Sequence, residues 1–395
     1  MRSNYDVLGN HIRTIDTRNT ELVSDKVLGI NIDKFFMPSV ANVIGTDLSR
    51  YKLITKGKFA CNPMHVGRDE RLPVALFTEE TPAIVSPAYF MFEIIDESKL
   101  DPEYLMMWFR RPEFDRICWL RTDGSVRGGI TWDDLCRIEL PVPTMDEQKA
   151  VVNSYKAITD RIALKRQIND NLEATIQSCF DKMFKDAGIN LPETIIKQYP
   201  VPNGWDDSLI AKKASVQTGP FGSQLHNEDY VENGTPIITV EHMDGKYIAH
   251  RNLPLVAKED VERLNKYNLQ TGDIVFSRVG SVDRAVMVTK HEDGWLFSGR
   301  CLRVRPNIAD YGCYLLWWFN QPVIKQLVTS SAVGATMPSI NTGILSNIRL
   351  ILPPNAQLTL FCRTATKLID TITSNLEEMR KLNGAREYIQ FSLSR

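Results

Sequence analysis

The chain has 395 residues, of which 43% are hydrophobic and 24% are charged, and its formal net charge is −1. This length allows two or three domains with separate cores, and the composition is ordinary for a soluble globular protein. The charge balance argues against a protein that grips DNA unaided, because neutralising phosphates usually requires a visible excess of basic residues.

Signals for membrane insertion, secretion and metal binding are missing. The longest apolar stretches, residues 104–109 and 314–319, are far shorter than the ~20 residues of a membrane span. The first residues lack the apolar segment of a signal peptide. The seven cysteines contain no C-x-x-C pair, which argues against a disulfide framework and a zinc ribbon. We therefore expect a cytoplasmic protein with no metal site and no membrane contact.

In chain order, the first strong helix signal lies near residue 101. Asp101 and Pro102 suit the cap and first turn of a helix that Pro112 breaks or kinks. Residues 137–143 predict a short strand that ends at prolines. Residues 144–147 then form a capping-box pattern, and a long helix is predicted from about residue 146 to residue 185.

Prolines and an Asn-Gly pair predict a linker over residues 187–204. Beyond it, strand-like runs such as residues 235–240 and 272–276 alternate with turns and short helices, which indicates a mixed α/β or α+β domain. Residues 349–354 predict another proline-ended strand, and Asn355 is the predicted cap of a second long helix.

The sequence repeats itself at a distance of 210 residues. Residues 104–143 align without gaps with residues 314–353, and eleven of these forty positions are identical, where average composition gives roughly two or three. We interpret this as a duplication. The predicted order is therefore globular domain, long helix, globular domain, long helix.

Each long helix carries one narrow apolar stripe, which fits a coiled-coil seam better than a globular core. We therefore expect the two helices to pack against each other. The aromatic residues of the repeated helix are interpreted as core rather than as base-stacking platforms. The stripe residues are Val151, Tyr155, Ile158, Ile162, Ile168, Leu172, Ile176, Cys179 and Met183 in the first helix, and Leu358, Phe361, Ala365, Leu368, Ile372, Leu376, Met379 and Leu382 in the second.

Catalytic motifs are absent from the sequence. The amino-methyltransferase pattern, an Asn or Asp followed by Pro-Pro and an aromatic residue, does not occur, and no Walker phosphate loop is present. The six histidines are dispersed, and residues 219–222 are interpreted as a turn rather than a cofactor loop. We therefore expect no catalytic residue and no cofactor in this chain.

Several strings resemble the specificity subunit of type I restriction–modification systems. They are residues 202–205 at the opening of the second domain, residues 272–281 within it, and the starts of the two long helices at residues 140–148 and 350–357. Together with the repeat, the resemblance covers essentially the whole chain. The first domain departs from it, because it has no counterpart of the Pro-Asn-Gly-Trp string.

The resemblance implies a non-catalytic DNA-recognition subunit with an α+β (mixed α/β) fold. Two target-recognition domains, residues 1–143 and 205–353, would alternate with two helices, residues 144–186 and 354–395, which pair as an antiparallel coiled-coil spacer. Each domain would read half of a bipartite, asymmetric double-stranded DNA target through the major groove. Two methylation subunits, which carry S-adenosylmethionine, would bind around the helices, with two motor-nuclease subunits as an optional addition.

Base-edge readout requires polar or basic side chains on exposed loops. Residues 121–129 and 330–339 occupy equivalent repeat positions and are polar or glycine-rich, as contact loops often are. For each arginine, a solvated surface charge or a structural ion pair is the alternative interpretation. The predicted DNA-binding residues are Arg68, Arg71, Arg121 and Arg127 in the first domain and Arg278, Ser281, Arg284, Arg300 and Thr336 in the second.

Other functions stay open on the sequence alone. A specificity protein for a solitary methyltransferase, or for a type II-like system without a motor, would show the same features. A protein-scaffolding repeat molecule without a DNA role suits the neutral charge but not the glycine- and arginine-bearing loops. A stand-alone enzyme has little support, because the motifs are missing.

Overall fold

A computed structural model describes residues 4–40, 45–64, 66–122, 128–220, 224–334 and 336–392. The chain divides into two compact units, which we call unit 1 (residues 1–164 with 379–395) and unit 2 (residues 165–378). Both long helices contribute residues to each unit.

Unit 1 contains short strands followed by helices. Two four-stranded sheets have the orders β2-β9-β6-β7 and β4-β3-β8-β5, and β1 pairs with β10; the strands are β1 (Tyr5–Val7), β2 (Ile12–Thr14), β3 (Val27–Ile30), β4 (Phe36–Pro38), β5 (Lys52–Ile54), β6 (Phe59–Cys61), β7 (Val74–Leu76), β8 (Ala83–Val85), β9 (Phe90–Ile94) and β10 (Glu139–Pro141). The helices are α1 (Val66–Asp69), α2 (Pro102–Phe109), α3 (Pro112–Leu120), α4 (Trp132–Cys136) and the first long helix α5 (Met145–Asp186).

Unit 2 has the same plan. Its sheets are β12-β21-β18-β19 and β13-β17-β14-β20, with the pairs β11–β22 and β15–β16; the strands are β11 (Asp206–Leu209), β12 (Ala214–Thr218), β13 (Tyr230–Val231), β14 (Thr235–Ile238), β15 (Met243–Asp244), β16 (Tyr247–Ile248), β17 (Leu255–Val256), β18 (Ile274–Ser277), β19 (Ala285–Met287), β20 (Leu296–Phe297), β21 (Cys301–Pro306) and β22 (Arg349–Leu352). The helices are α6 (Leu191–Ile196), α7 (Ile210–Lys213), α8 (Lys258–Arg263), α9 (Gly312–Phe319), α10 (Pro322–Ser330), α11 (Thr342–Ser346) and the second long helix α12 (Asn355–Ser392).

The predicted duplication is visible in the fold. Helices α9, α10 and α11 begin and end 210 residues after α2, α3 and α4. The sheet order β12-β21-β18-β19 corresponds to β2-β9-β6-β7, and the parallel pair β14–β20 corresponds to β3–β8. The predicted α+β fold, with two globular parts and two long helices, is confirmed.

The aromatic residues of the repeat lie in the two cores, as predicted. Trp108 and Phe109 in α2 are 3% and 0% exposed, and Trp317, Trp318 and Phe319 in α9 are all 0% exposed. Because rings this deeply buried are out of reach of a nucleic acid, they stabilise the fold and do not stack on bases.

Two of the three predicted helix caps are confirmed. Asp101 accepts hydrogen bonds from the first backbone N–H groups of α2. Thr144 and Glu147 form the capping box, with the Thr144 N–H donating to the Glu147 carboxylate at 2.9 Å. Asn355 is not a cap, because the first turn of α12 closes on the carbonyl oxygen of Pro354 and makes Asn355 the first helical residue.

The long helices pack antiparallel in unit 2. The rings of Phe180 in α5 and Phe361 in α12 lie 5.8 Å apart, and the ammonium of Lys165 lies 2.7 Å from the carboxylate of Glu378. Residue numbers therefore rise along one helix as they fall along the other, and the predicted antiparallel pairing is confirmed.

The apolar stripe predicted for α5 is wrong at two positions. Cys179 is exposed and Ile168 is 38% exposed, whereas Asn169 is only 7% exposed and Phe180 and Phe184 are buried. The seam is displaced because it passes through a polar residue, which a count of apolar residues cannot detect.

The predicted linker contains a helix that its prolines concealed. Asn190 caps α6, and Pro192 occupies its first turn, where a proline is tolerated. The guanidinium of Arg349 in β22 donates to the carbonyl oxygens of Thr194 at 2.6 Å and Tyr199 at 2.7 Å. The segment is therefore fastened to unit 2 by a charged side chain.

Candidate DNA interface

One end of the sheet β12-β21-β18-β19 gathers the loops that carry the predicted contact residues of the second domain. Neighbouring strands in this sheet run antiparallel. The last residues of β12 and β18 and the first residues of β19 and β21 therefore lie at the same end of the sheet. Three segments meet there, and we call them the unit 2 loop cluster: residues 278–284, residues 298–300, and residues 331–334 with 336–340.

Backbone hydrogen bonds attach the last of these segments to the first. The N–H of Ile340 donates to the carbonyl oxygen of Arg278 at 2.9 Å, and the N–H of Gly280 donates to the carbonyl oxygen of Pro338 at 2.9 Å. Because the bonds join main-chain atoms, the positions of the two loops are set together whatever their side chains contact.

The loop at residues 298–300 is held from two sides. A Cβ atom on Gly219 would lie 2.2 Å from the carbonyl oxygen of Ser298, so only glycine allows this close approach. From the other side, the guanidinium of Arg278 donates to the carbonyl oxygen of Gly299 at 2.9 Å. The backbone N–H of Arg278 donates to the carbonyl oxygen of Arg300, also at 2.9 Å.

The structure brings the five residues predicted for the second domain together in the unit 2 loop cluster. Ser281, Arg284, Arg300 and Thr336 are exposed there. Arg278 is half-buried, and its guanidinium joins two loops. Arg278 is thus in a place to position the cluster, and base contact by the other four stays a prediction.

Unit 1 builds a related arrangement from the loop between β6 and β7 and the segment before α4. The N–H of Ile130 donates to the carbonyl oxygen of Pro63 at 3.1 Å, and the N–H of Gly67 donates to the carbonyl oxygen of Gly128 at 3.0 Å. The same two segments therefore meet in both units, although the β6–β7 loop is longer and contains α1.

The residues predicted for the first domain are exposed where they are described. Arg68 forms an ion pair with Asp69 at 2.6 Å, and Arg71 forms one with Asp33 at 3.0 Å. Arg121 directly follows the last residue of α3 and donates two long hydrogen bonds, both 3.4 Å, to backbone carbonyl groups. Arg127 lies outside the described residues. DNA contact by these arginines stays a prediction.

Two arginines in β21 that the sequence analysis did not single out are structural. Arg303, 6% exposed, donates to the carbonyl oxygens of Lys266 at 3.2 Å and Asn268 at 3.0 Å, and burial lowers its pKa. Arg305 binds the carboxylate of Asp273 at 2.7 and 2.6 Å. Their two-residue spacing places both on one face of the strand, and this spacing is the only sequence signal that they act together.

Metal-binding clusters and membrane-spanning helices are both absent from the part of the chain that the structure describes. No group of three or more His, Cys, Asp or Glu side chains there is arranged to hold a metal ion. None of the described helices combines the length and apolar character needed to cross a membrane.

Comparison with known proteins finds a family model and several relatives that this chain resembles. Residues 215–381 match the family model of the type I restriction modification DNA specificity domain. The type I restriction enzyme HindI specificity subunit of Haemophilus influenzae is 20% identical over 97% of this chain and 96% of its own length. The MjaIX specificity subunit of Methanocaldococcus jannaschii is 22% identical over 74% of this chain and 68% of its own.

A solved structure shares the fold. The S subunit of the type I restriction–modification system from M. genitalium aligns with a TM-score of 0.63 at 15% identity, covering 98% of this chain and 95% of that one. The fold of this chain is therefore that of a solved type I S subunit, and the matched DNA specificity domain lies in its second half. The chain is thus similar over most of its length to type I restriction–modification specificity subunits, and residues 215–381 match their DNA specificity domain.

Proposed function

We propose that this chain reads a bipartite, asymmetric target in double-stranded DNA, with residues 1–143 and 205–353 each reading one half through the major groove. The observation that carries the proposal is the unit 2 loop cluster, in which Ser281, Arg284 and Arg300 are exposed on loops fixed to one sheet end. Such side chains bind base edges and phosphates. Because the loops are already held, little ordering is needed on binding.

The two halves of the target should differ. In unit 2 the loop between β18 and β19 is a seven-residue segment, residues 278–284, whereas its counterpart in unit 1, residues 62–73, contains α1. Different loops present different donors and acceptors to the groove, so each unit favours its own base sequence.

In this proposal the helices at residues 144–186 and 354–395 form the spacer and dock two methylation subunits, which two motor-nuclease subunits join in a full restriction complex. The methylation subunits bind S-adenosylmethionine, so this chain needs no cofactor of its own. The net charge of −1 supports this division of labour, because partner subunits can supply the phosphate contacts that the affinity requires.

Long-read methylation mapping of cells that co-express this chain with its neighbouring methylation subunit tests the proposal. We expect a bipartite motif with methyladenine in both halves, which disappears when this chain is omitted. Replacing residues 1–143 by the first domain of another specificity subunit should change one half of the motif and leave the other half intact.

A triple variant with Ser281→Ala, Arg284→Ala and Arg300→Ala should lose methylation at the motif. The matched control is Lys212→Ala, which removes an exposed positive charge in α7, at the opposite end of β12 from the cluster, and should keep the motif. Absence of sequence-specific methylation, with the methyltransferase active and bound to this chain, would instead favour a protein scaffold without a DNA role.

A further inference from the structure

The unit 2 loop cluster contains a tight turn, which the structure describes at residues 333–334 and 336–339. Val333 and Ser339 exchange two backbone hydrogen bonds, each 2.9 Å long. Gly334 has a φ of +105°, a conformation that favours glycine. A Cβ atom there would also lie 2.8 Å from the carbonyl oxygen of Met337. Backbone hydrogen bonds therefore hold the two ends of the turn together, and its second residue has to be glycine.

The turn is also fixed to the sheet. Pro338, within the turn, accepts a hydrogen bond from the N–H of Gly280, and Ile340, directly after it, donates one to the carbonyl oxygen of Arg278. Ile340 is 2% exposed and anchors the base of the turn in the core. The direction in which the turn projects is thus set by β18 and the loop that follows it.

This fixed turn presents two large apolar side chains to solvent. Val333 is 66% exposed and Met337 is 65% exposed, and Thr336 between them is exposed as well. Exposed apolar side chains grouped on a rigid element are typical of a surface that a partner covers. The turn does not need them for its own packing, because backbone bonds and Ile340 already hold it.

The charge of the surrounding loops favours DNA as the partner. Residues 278–284 and 298–300 contain Arg278, Arg284 and Arg300 against a single acid, Asp283, while the whole chain carries a net charge of −1. Positive charge is concentrated beside the turn, where it complements phosphates. On the base edges of the major groove, the apolar group is the C5-methyl of thymine.

We propose that Met337, with Val333 beside it, contacts the C5-methyl group of a thymine in the half-target read by unit 2, and so determines specificity at that position. This inference rests on the proposed function and adds an apolar contact to the polar residues predicted from the sequence. Met337 is a reading residue, and the backbone bonds of residues 333–339 position it.

Deoxyuridine supplies the test, because it differs from thymidine only by lacking the C5-methyl group. The complex of this chain with its methylation subunit is titrated with duplexes carrying the mapped motif, each with one thymine of the unit 2 half replaced by deoxyuridine, at one salt concentration. Burying one methyl group contributes about 0.8 kcal/mol, so we expect one replacement to raise Kd about fourfold.

Variants at the turn complete a thermodynamic cycle. Met337→Ala should raise Kd for the thymine duplex and should abolish the effect of the deoxyuridine replacement, whereas Met337→Leu should retain it. Met64→Ala is the matched control, because Met64 is 49% exposed but lies in unit 1, and it should leave the deoxyuridine effect in this half unchanged.

The outcomes separate the inference from the proposed function. If no thymine replacement in this half changes Kd, or if Met337→Ala keeps the full deoxyuridine effect, Met337 does not read a thymine methyl group. If the complex binds its motif no more tightly than unrelated DNA, the proposed function itself is overturned.

Discussion

Asn169 of α5 and Asn375 of α12 form a hydrogen bond inside the helix pair of unit 2, with the Asn375 amide nitrogen 2.8 Å from the Asn169 amide oxygen. Only 7% and 8% of these residues are exposed. The ammonium of Lys165 completes the layer by donating to Asn375 at 2.8 Å and to Glu378 at 2.7 Å. An apolar seam is thus interrupted by four polar side chains that are linked to one another, although the buried amide nitrogen of Asn169 has no partner among the described residues.

Such a layer selects one pairing of the helices, because a slip of one helix along the other leaves buried polar groups without partners. Lys165 and Asn375 are also separated by the repeat distance of 210 residues, so the two copies place different residues at the same seam position. Pairing α5 with α5 of a second chain in this register would bring two lysines together, which disfavours that assembly.

Replacing Asn375 by leucine should lower the free energy of unfolding by about 1–3 kcal/mol, because it leaves Asn169 buried without a partner. Adding Asn169→Leu should recover that loss, since two apolar residues fit the seam. Urea unfolding followed by circular dichroism measures both. Asn171→Leu, on the exposed side of α5, is the control and should change stability by less than about 0.5 kcal/mol. Equal stability of Asn375→Leu and the parent chain would show that the layer contributes nothing.

The repeated tyrosines give a second prediction. Tyr104 donates to the carbonyl oxygen of Pro141 at 3.3 Å, and 210 residues later Tyr314 donates to that of Ile351. Tyr314→Phe should cost about 1–2 kcal/mol of stability, because the buried carbonyl loses its partner. Tyr104→Phe should cost less, since its bond is longer. Thermal unfolding of the three variants measures these costs. Tyr388 is 69% exposed, so Tyr388→Phe is the control and should leave the stability unchanged.

The local part of this fold, the duplication and the pairing of the two long helices were predictable from the sequence, but the detailed long-range contacts were not. The helix starts at Asp101 and Thr144 follow from side chains that bond backbone groups two or three residues away. The repeat then predicts that the helices of unit 1 have counterparts 210 residues later in unit 2. The burial of Asn169 in the seam was not predicted, because it depends on a partner 206 positions away in the sequence.

The candidate site shows the same division. The loops around Arg278 and Thr336 were predicted as contact loops from their glycine-bearing, polar composition and, for residues 330–339, from their position in the repeat. Their meeting at one sheet end depends on the pairing of β18 with β21 and on the bond from Gly280 to Pro338, which no local pattern encodes. The exposed side chain of Met337 is not among the predicted contact residues, because the prediction was based on polar and basic side chains.

Arg349 gives a third prediction. It binds the carboxylate of Asp207 at 2.8 and 2.6 Å and the carbonyl oxygens of Thr194 and Tyr199, and the bonds from Arg349 lower the pKa of Asp207. Arg349→Ala should release residues 190–199 and make them a site of limited proteolysis, whereas the parent chain resists. Arg263→Ala, which breaks an exposed pair with Asp260, should leave that cleavage pattern unchanged. Unchanged protection in Arg349→Ala would show that packing alone holds the segment.

The last prediction concerns pH. Glu292 is 4% exposed and accepts hydrogen bonds from the ring of His250 and from the hydroxyl and N–H of Thr289 at 2.6 and 2.8 Å. Burial alone would raise the pKa of Glu292, but the bonds from His250 and Thr289 outweigh it and lower the pKa. A carboxyl whose pKa is lower in the folded chain stabilises that state above its unfolded pKa, and this contribution is lost as the pH falls through the folded value.

Glu292→Gln should therefore be less stable than the parent chain at neutral pH, by about 1.5–3 kcal/mol, the range for hydrogen bonds to charged groups. The difference should shrink as the pH falls below about 4.3, the usual pKa of glutamate. Urea unfolding at a series of pH values measures it. Asp293→Asn, which removes a neighbouring charge that is exposed, is the control and should follow the parent chain across the series. A Glu292→Gln deficit that stays constant down to the acid limit would mean that Glu292 contributes through packing rather than through its charge.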